Sequence, residues 1–424
     1  MMKVAIINNT CGFGSTGKIT AKMYQDVINS GHQCKVFYGM KTVEDGEPNP
    51  DFVYFGNKFC SFIDHVISNL TGLSGSLAFF PTWKLFKELN EYQPDIIWLY
   101  HIHGGFVNEY WLLDYAKKKA GWTLYSMADE YPMLGKCCYS YDCTKYQTEK
   151  GCHHCPSLRE SPRSLIFDNS NYHFRKKLKA YTDFENITFL SAPYVVEKAK
   201  GSWLLKDKEF ITTDTHVDIA NTYYPRDPSS VREELGISAD KKVVIVCAPL
   251  SVVYKGVKYF LQAARLCEKD DIVFVNVAYD GDLAACPSNY VALPYVNDQN
   301  RLCELLSLAD AYVCTSIADA QPNACLNALG CGTPVIGFNT SGVPYVAPNE
   351  FGTFVKPFDV EALADAIRRQ PRKTEERIAA CHAYALDRFG FPPASEEDEE
   401  EKKTLMDILE ERINNARKQE KAND

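Results

Sequence analysis

The chain has 424 residues, more than one ordinary domain holds, and its 46% hydrophobic and 24% charged residues exclude a disordered or fibrous protein. A formal net charge of −9 argues against the broad basic surface that general nucleic-acid binding needs. Sixteen cysteines spread over strand-like and helix-like stretches point to reduced thiols in a non-secreted chain rather than to a disulfide framework.

The chain opens on the apolar run 3–8 without the charged leader and cleavage site of a secretory signal, so a cytoplasmic protein is expected. In the first half, 3–8, 33–38, 95–101, 122–127 and 187–190 read as strands with helical patterns between them. Strands alternating with helices predict a parallel sheet of Rossmann type. The apolar region 59–86 is broken by Asp64, His65, Asn69 and Pro81 and predicts no membrane span.

Between the first strand and its helix, Gly12, Gly14, Gly17 and Lys18 have the spacing of a Walker A loop, but Ile19 stands where magnesium needs Ser or Thr. A tight strand-to-helix turn is expected there rather than an NTPase site. His101 and His103 come directly after Tyr100 at the end of the third strand, and Asp129 follows the strand at 122–127, the places where such folds carry site residues. Asp129 reads equally well as a turn cap.

A cysteine-rich insert at 135–156 follows, with Cys137, Cys143, Cys152 and Cys155 as its core. Four thiolates suit a tetrahedral structural zinc, and Cys152-x2-Cys155 is the usual half-site for one. Free thiols or a labile disulfide are the other readings, since the longer intervals are irregular for a finger. Beyond it, Arg175, Lys176, Lys177 and Lys179 read first as a solvated helix face, although such a run could also touch anionic headgroups.

The segment 206–239, rich in Pro, Tyr and charge, reads as the linker, with the domain boundary near Pro225. Strands at 242–247, 271–278, 311–315 and 334–338 then repeat the first domain's pattern. Lys255 follows the first of them. After the strand at 311–315 comes Asp319-Ala320-Gln321-Pro322-Asn323, where Pro322 fits the first helical position and predicts a helix from about Asn323, ending near Gly330 and Gly332. A helix start beyond a parallel strand favours a phosphate, and Asn323 and Asn327, four apart, share one face. These residues alone fit an ordinary strand-turn-helix unit as well. Past 391, an acidic run from Glu396 to Glu401 precedes a charged helical pattern in which Leu405, Ile408, Leu409 and Ile413 form a narrow stripe, read as a solvated tail.

Taken together, the Gly14-Ser15-Thr16-Gly17-Lys18-Ile19 loop, the Asp319-x-x-Pro322-Asn323 turn and the Gly330-Cys331-Gly332-Thr333-Pro334-Val335 ending resemble the retaining glycosyltransferases of family 4. A cysteine insert ending in Cys-Pro is similar to that of a polysaccharide-synthesising subgroup. The resemblance implies the GT-B fold: two Rossmann-like domains facing across a cleft, 1–225 on the acceptor side and 226–391 binding a nucleotide sugar, with 392–424 as a helical tail. It implies a hexosyltransferase that moves a sugar from a nucleotide diphosphate donor to a saccharide or lipid-linked saccharide, with retention, without a metal in the chemistry, and with peripheral membrane contact as a possible partner surface.

The implied donor-binding residues are Gly14, Gly17, Lys255, Gln321, Asn323 and Asn327; the implied catalytic residues are His103, Asp129 and Asp319. The sequence departs from the family's Glu-x7-Glu in having Asp319 and Asn327 at those places, lacks the usual arginine before Lys255, and has Ala128 where relatives carry a histidine. These departures motivate the alternative of a degenerate GT-B protein that binds a nucleotide sugar or a partner without turnover.

Overall fold

The computed structural model describes residues 1–12, 14–40, 49–75, 78–390 and 405–423. Phe13 of the first loop and the acidic run from Glu396 to Glu401 lie outside the described residues. The chain divides into two compact units. One holds Met1–Ser191, Val195–Thr212 and the C-terminal helix; the other holds Ala192–Tyr194 and the described residues 213–390.

The first unit is built on seven strands: β1 (Lys3–Asn8), β2 (Gln33–Tyr38), β3 (Phe52–Tyr54), β4 (Ile96–Tyr100), β5 (Trp122–Ser126), β6 (Ile187–Ser191) and β7 (Glu209–Thr212). They form one sheet in the order β3-β2-β1-β4-β5-β6-β7, every pair parallel. In the second unit β8 (Lys242–Cys247), β9 (Ile272–Val277), β10 (Tyr290–Leu293), β11 (Ala311–Cys314), β12 (Val335–Phe338) and β13 (Gly352–Val355) form a parallel sheet in the order β10-β9-β8-β11-β12-β13. Two doubly wound α/β units are what the sequence predicted. The central strands Val4 to Ile7 and Val243 to Val246 are fully buried, which is why they are continuous apolar runs.

In each sheet the strand order reverses beside the first strand, between β1 and β4 and between β8 and β11. Ligands of open α/β sheets bind at the carboxyl ends of strands at such reversals. Both clusters of candidate residues sit there.

Two expectations are corrected. The boundary falls between Thr212 and Thr213, not near Pro225, because Glu209–Thr212 pairs with β6 while the stretch beyond it packs on the second unit. Val217, Ile219 and Tyr223 join that unit's core, and the Val217 N–H donates to the Phe389 carbonyl at 2.9 Å. The C-terminal helix Leu405–Asn423 is likewise no solvated tail: Met406, Leu409 and Ile413 are buried among Met2, Val4 and Ile6, and Arg412 Nη2 meets Glu209 Oε1 at 2.6 Å.

Replacing Leu409, which is fully buried, by Ala should lower the unfolding free energy by about 2–5 kcal/mol in a denaturant titration. A loss below about 0.5 kcal/mol would mean that the helix does not belong to the first core.

Candidate active site

In the second unit the chain leaving β8 turns through Val253–Lys255 and ends that turn at Gly256, whose φ is +66°. A β-carbon there would lie 2.0 Å from the Thr315 carbonyl oxygen, so only glycine lets the loop after β8 meet the loop after β11. The Ile317 N–H donates to the Tyr254 carbonyl at 2.7 Å and the Thr315 hydroxyl to the Lys255 carbonyl at 3.0 Å. The two loops are therefore knitted by backbone, and Lys255 Nζ comes to 2.6 Å from Asp319 Oδ2. Burial opposes the charge on Lys255, but Asp319 beside it prevails and holds the ammonium well above the usual lysine value.

The helix Asn323–Gly330 begins where the sequence predicted, with Pro322 as the extended residue before it (φ −69°, ψ 107°) rather than the first helical one. Cys325, Leu326, Ala328 and Leu329 are buried in the core, whereas Asn323, Ala324 and Asn327 are half-buried on the remaining face. Asn323 and Asn327 thus do share one face. The Asn327 Oδ1 atom is buried, and the Asn327 side chain lies within hydrogen-bonding reach of Tyr223. Gln321 is placed differently from its neighbours. Its amide accepts from the Thr215 N–H and donates to Asp214, both at 2.6 Å, so it fastens the incoming segment to the turn.

In the first unit the loop after β1 is closed on itself. The Gly12 N–H donates to the Gly17 carbonyl at 3.0 Å and the Asn8 amide donates to the Thr10 carbonyl at 2.8 Å. Gly14 starts the helix Gly14–Asn29, which carries Gly17 in its first turn. The Gly12 N–H is spent inside the loop, which agrees with a tight turn rather than a phosphate cradle.

His101 leaves β4 with φ +47°, a strained setting for a residue with a β-carbon. Its ring lies 4.0 Å from that of His103, which stacks on Tyr131 at 4.4 Å. His103 Nε2 is 3.2 Å from Asp129 Oδ2, so the two residues picked from separate loops are brought together. The other Asp129 oxygen accepts from the Tyr131 N–H at 2.9 Å, so the turn-cap role is also real. Burial alone would raise the Asp129 carboxyl, but His103, then His101 and the Tyr131 N–H, outweigh it and hold it at about 2. Burial, reinforced by His103, pushes His101 down to about 4.

The cysteine insert borders this cluster. Cys138 Sγ lies 3.6 Å from His103 Nε2. Next to it Cys137, Cys143, Cys152 and Cys155 line a single cavity of about 10 Å³ together with Lys136, Tyr146 and His153. The Gly135 N–H donates to Cys152 Sγ at 3.2 Å, and the neighbouring Cys137 thiol holds the Cys155 thiol below its usual value. Among the described residues, His101, His103 and Asp129 are the trio with ligand atoms mutually within 4.8 Å; the four sulfurs surround their cavity at wider spacing.

The basic run contains a residue that its spacing did not reveal. Lys177 is buried, donates to the Tyr131 and Leu134 carbonyls at 2.7 and 3.0 Å, and lies 3.3 Å from the Tyr131 ring centre. It is a clamp under the Asp129 turn, not part of a solvated face. Buried Glu109, which accepts from the Tyr131 hydroxyl at 2.9 Å, was missed for the same reason. Both act through partners more than 20 residues away, and no local pattern announces them.

The two parallel α/β units are of the Rossmann-like kind that GT-B proteins carry, each with candidate residues at its strand-order reversal. Solved structures of low identity share this fold along the whole chain. Sucrose-phosphate synthase from Thermosynechococcus elongatus has a TM-score of 0.63 at 14% identity, covering 100% of both chains. Anabaena HepE in complex with UDP-glucose has a TM-score of 0.56 at 15% identity, covering 99% of this chain and 100% of that one. The family model of glycosyl transferases group 1 matches residues 241–370, within the second unit, so that unit is similar to a group 1 glycosyl transferase domain.

The chain is also 26% identical over 153 residues to the N,N'-diacetylbacillosaminyl-diphospho-undecaprenol alpha-1,3-N-acetylgalactosaminyltransferase of Campylobacter jejuni subsp. jejuni serotype O:2. That match spans 34% of this chain and 40% of the relative, less than half of either.

The unfolded chain protonates a histidine near pH 6.5 and the native protein protonates His101 only near pH 4. Its contribution to stability is therefore complete above about pH 6.5 and lost as pH falls toward 4, with a slope of at most about 1.4 kcal/mol per pH unit. Replacing His101 by Gln should flatten that part of the stability profile measured by urea unfolding between pH 4.5 and 7; an unchanged slope would contradict the burial assigned to His101.

Proposed function

We propose that the protein transfers a sugar, with retained anomeric configuration, from a nucleotide diphosphate donor to a saccharide or lipid-linked saccharide acceptor during polysaccharide synthesis. What carries this proposal is the placement of an ionised, partly buried Lys255 and a helix start without a side-chain cap, at Asn323, beyond neighbouring strands at one strand-order reversal. A cation beside free helix N–H groups suits a pyrophosphate, and stabilising that leaving group as it departs is the main electrostatic work of such a transfer.

Lys255 neutralises the diphosphate, the N–H groups at Asn323 bind its oxygens, and Asn323 with Asn327 takes the ribose hydroxyls. The half-buried position of Asn323 and Asn327 on one helix face supports this role. Asp319 contacts the donor sugar while keeping Lys255 charged and aimed. Gln321 acts by holding the turn in place. Gly14 and Gly17 shape the turn after β1, and His103 with Asp129 binds sugar hydroxyls.

The chemistry requires no side-chain nucleophile and no metal at the reacting centre. The nucleotide-sugar donor is supported by the solved complex of Anabaena HepE with UDP-glucose, and a lipid-linked acceptor by the name of the Campylobacter relative. Sixteen free thiols support a cytoplasmic location.

The test is incubation of the purified protein with a panel of nucleotide sugars, measuring thermal stabilisation, donor hydrolysis and transfer. One donor should stabilise the protein and be turned over, with Lys255→Ala lowering kcat about 10²- to 10³-fold. Stabilisation without turnover on any acceptor would favour the binding-only alternative and overturn the transferase proposal.

Cys137, Cys143, Cys152 and Cys155 belong to the same proposal as holders of a structural zinc. Their common cavity, soft donor set and N–H to sulfur bond support it, and their wider spacing means that binding would draw the loops inward. Zinc would cross-link the insert that carries Cys138 against His103. Metal analysis should find about one zinc per chain, and chelation should lower the Tm; a metal-free chain with the same Tm would refute it.

A further inference from the structure

The loops leaving the adjacent strands β4 and β5 bring two imidazoles and a carboxylate together. One ligand atom from each of His101, His103 and Asp129 lies within 4.8 Å of the other two. Cys138 falls outside this trio, but its Sγ stands 3.6 Å from His103 Nε2 and its side chain hydrogen-bonds Asp129. Two nitrogen donors, a carboxylate oxygen and a sulfur therefore meet in one cluster of the first unit.

Their separations match those of a metal's coordination shell. Zn–N and Zn–O bonds of about 2.0–2.2 Å and a Zn–S bond of about 2.3 Å put tetrahedral neighbours about 3.3–3.4 Å apart for nitrogen and oxygen, and about 3.6 Å apart for nitrogen and sulfur. His103 Nε2 is 3.2 Å from Asp129 Oδ2 and 3.6 Å from Cys138 Sγ. A hydrogen bond accounts for the first distance as well, but a ring nitrogen has one proton or one lone pair to offer, and here two partners converge on it. His101 adds a second nitrogen without an ordinary role: its Nδ1 is buried and, among the described residues, has no hydrogen-bond partner. A buried polar atom of this kind calls for a water or an ion.

The groups behind the cluster hold it in place. The second Asp129 oxygen accepts from the Tyr131 N–H at 2.9 Å, and the His103 ring stacks on Tyr131 with centres 4.4 Å apart. Lys177 and Glu109 fix Tyr131 in turn. Ligands oriented by such partners lose little freedom when an ion arrives. His101 keeps a φ of +47°, the kind of backbone strain that folded proteins retain at sites. His101, His103 and Cys138 are each partly accessible and Gly104 beside them is exposed, so solvent reaches the cluster.

The donor chemistry selects the ion. Magnesium and calcium take oxygen ligands, whereas imidazole nitrogen with a carboxylate and a thiol suits zinc and its neighbours. We infer that His101, His103 and Asp129 bind one zinc-class divalent ion, with the fourth position facing Cys138. The largest separation in the trio, at most 4.8 Å, exceeds a tetrahedral edge by no more than about 1.5 Å, which small ring rotations close. Coordination by Cys138 releases its thiol proton to solvent. The site shares no ligand with the cavity of Cys137, Cys143, Cys152 and Cys155, and ion binding requires no transferase activity. Only one consequence rests on the proposed transfer: the ion and the sugar hydroxyls compete for His103 and Asp129.

The test is equilibrium dialysis of the full chain, as purified, against a series of buffered free zinc concentrations, with zinc per chain counted by atomic absorption. Wild type should hold one more zinc than His101→Gln at the same free zinc, or His101→Gln should need at least about tenfold more free zinc to hold it. Zinc at the four cysteines is common to both proteins, so its presence or absence leaves this difference unchanged. Equal counts across the series in wild type and a folded His101→Gln would overturn the inference. Should His101→Gln misfold by circular dichroism, X-ray absorption at the zinc edge of the wild-type protein decides instead. Two imidazole nitrogens per chain are expected in the zinc shell; one or none, or no bound zinc at all, would overturn the site.

Discussion

The contact between Lys255 and Asp319 joins two loops 64 residues apart in sequence and fixes what the second unit can bind. It is possible only because Gly256 lets the loops touch and because the Ile317 to Tyr254 hydrogen bond sets their register. The carboxylate favours the charged lysine against a burial that opposes it. A charge already desolvated and aimed costs little reorganisation when an anionic group arrives, which is the physical content of electrostatic preorganisation. Asp319 spends one carboxylate oxygen, Oδ2, on this partner.

The first unit solves a related problem with different chemistry. His103 and Asp129 come from the ends of adjacent strands, β4 and β5, and are held by groups that touch no other candidate residue directly. Lys177 pins the carbonyls of Tyr131 and Leu134, while Glu109 takes the Tyr131 hydroxyl. The cysteine insert adds a second hold, with Cys138 against His103 and the Glu130 N–H donating to the Cys138 carbonyl at 2.9 Å. A site supported by buried charge and by thiols is sensitive to changes some distance from its polar atoms.

The sequence was readable wherever a strand lies inside a sheet. All nine strands inferred from apolar runs are interior ones, and β3, β7, β10 and β13, which went unread, are the four sheet edges. Interior parallel strands are buried on both faces and must be apolar throughout, whereas an edge such as Glu209–Thr212 is partly exposed and has no such signature. The helix start at Asn323 and the shared face of Asn323 and Asn327 were legible because proline and helical periodicity are local signals. The ion pair of Lys255 with Asp319, the Lys177 clamp and the packing of 213–225 on the second unit were not, because each depends on tertiary neighbours.

The claim on which the rest turns is that Lys255 and the start of the helix Asn323–Gly330 bind one pyrophosphate. Calorimetric titration of wild type and Lys255→Ala with nucleoside diphosphates and the matching monophosphates measures this without any acceptor. The expected result is that one diphosphate binds wild type at least about tenfold more tightly than its monophosphate, and that the substitution removes this preference. A Lys255→Ala protein that keeps the full preference for the diphosphate would contradict it.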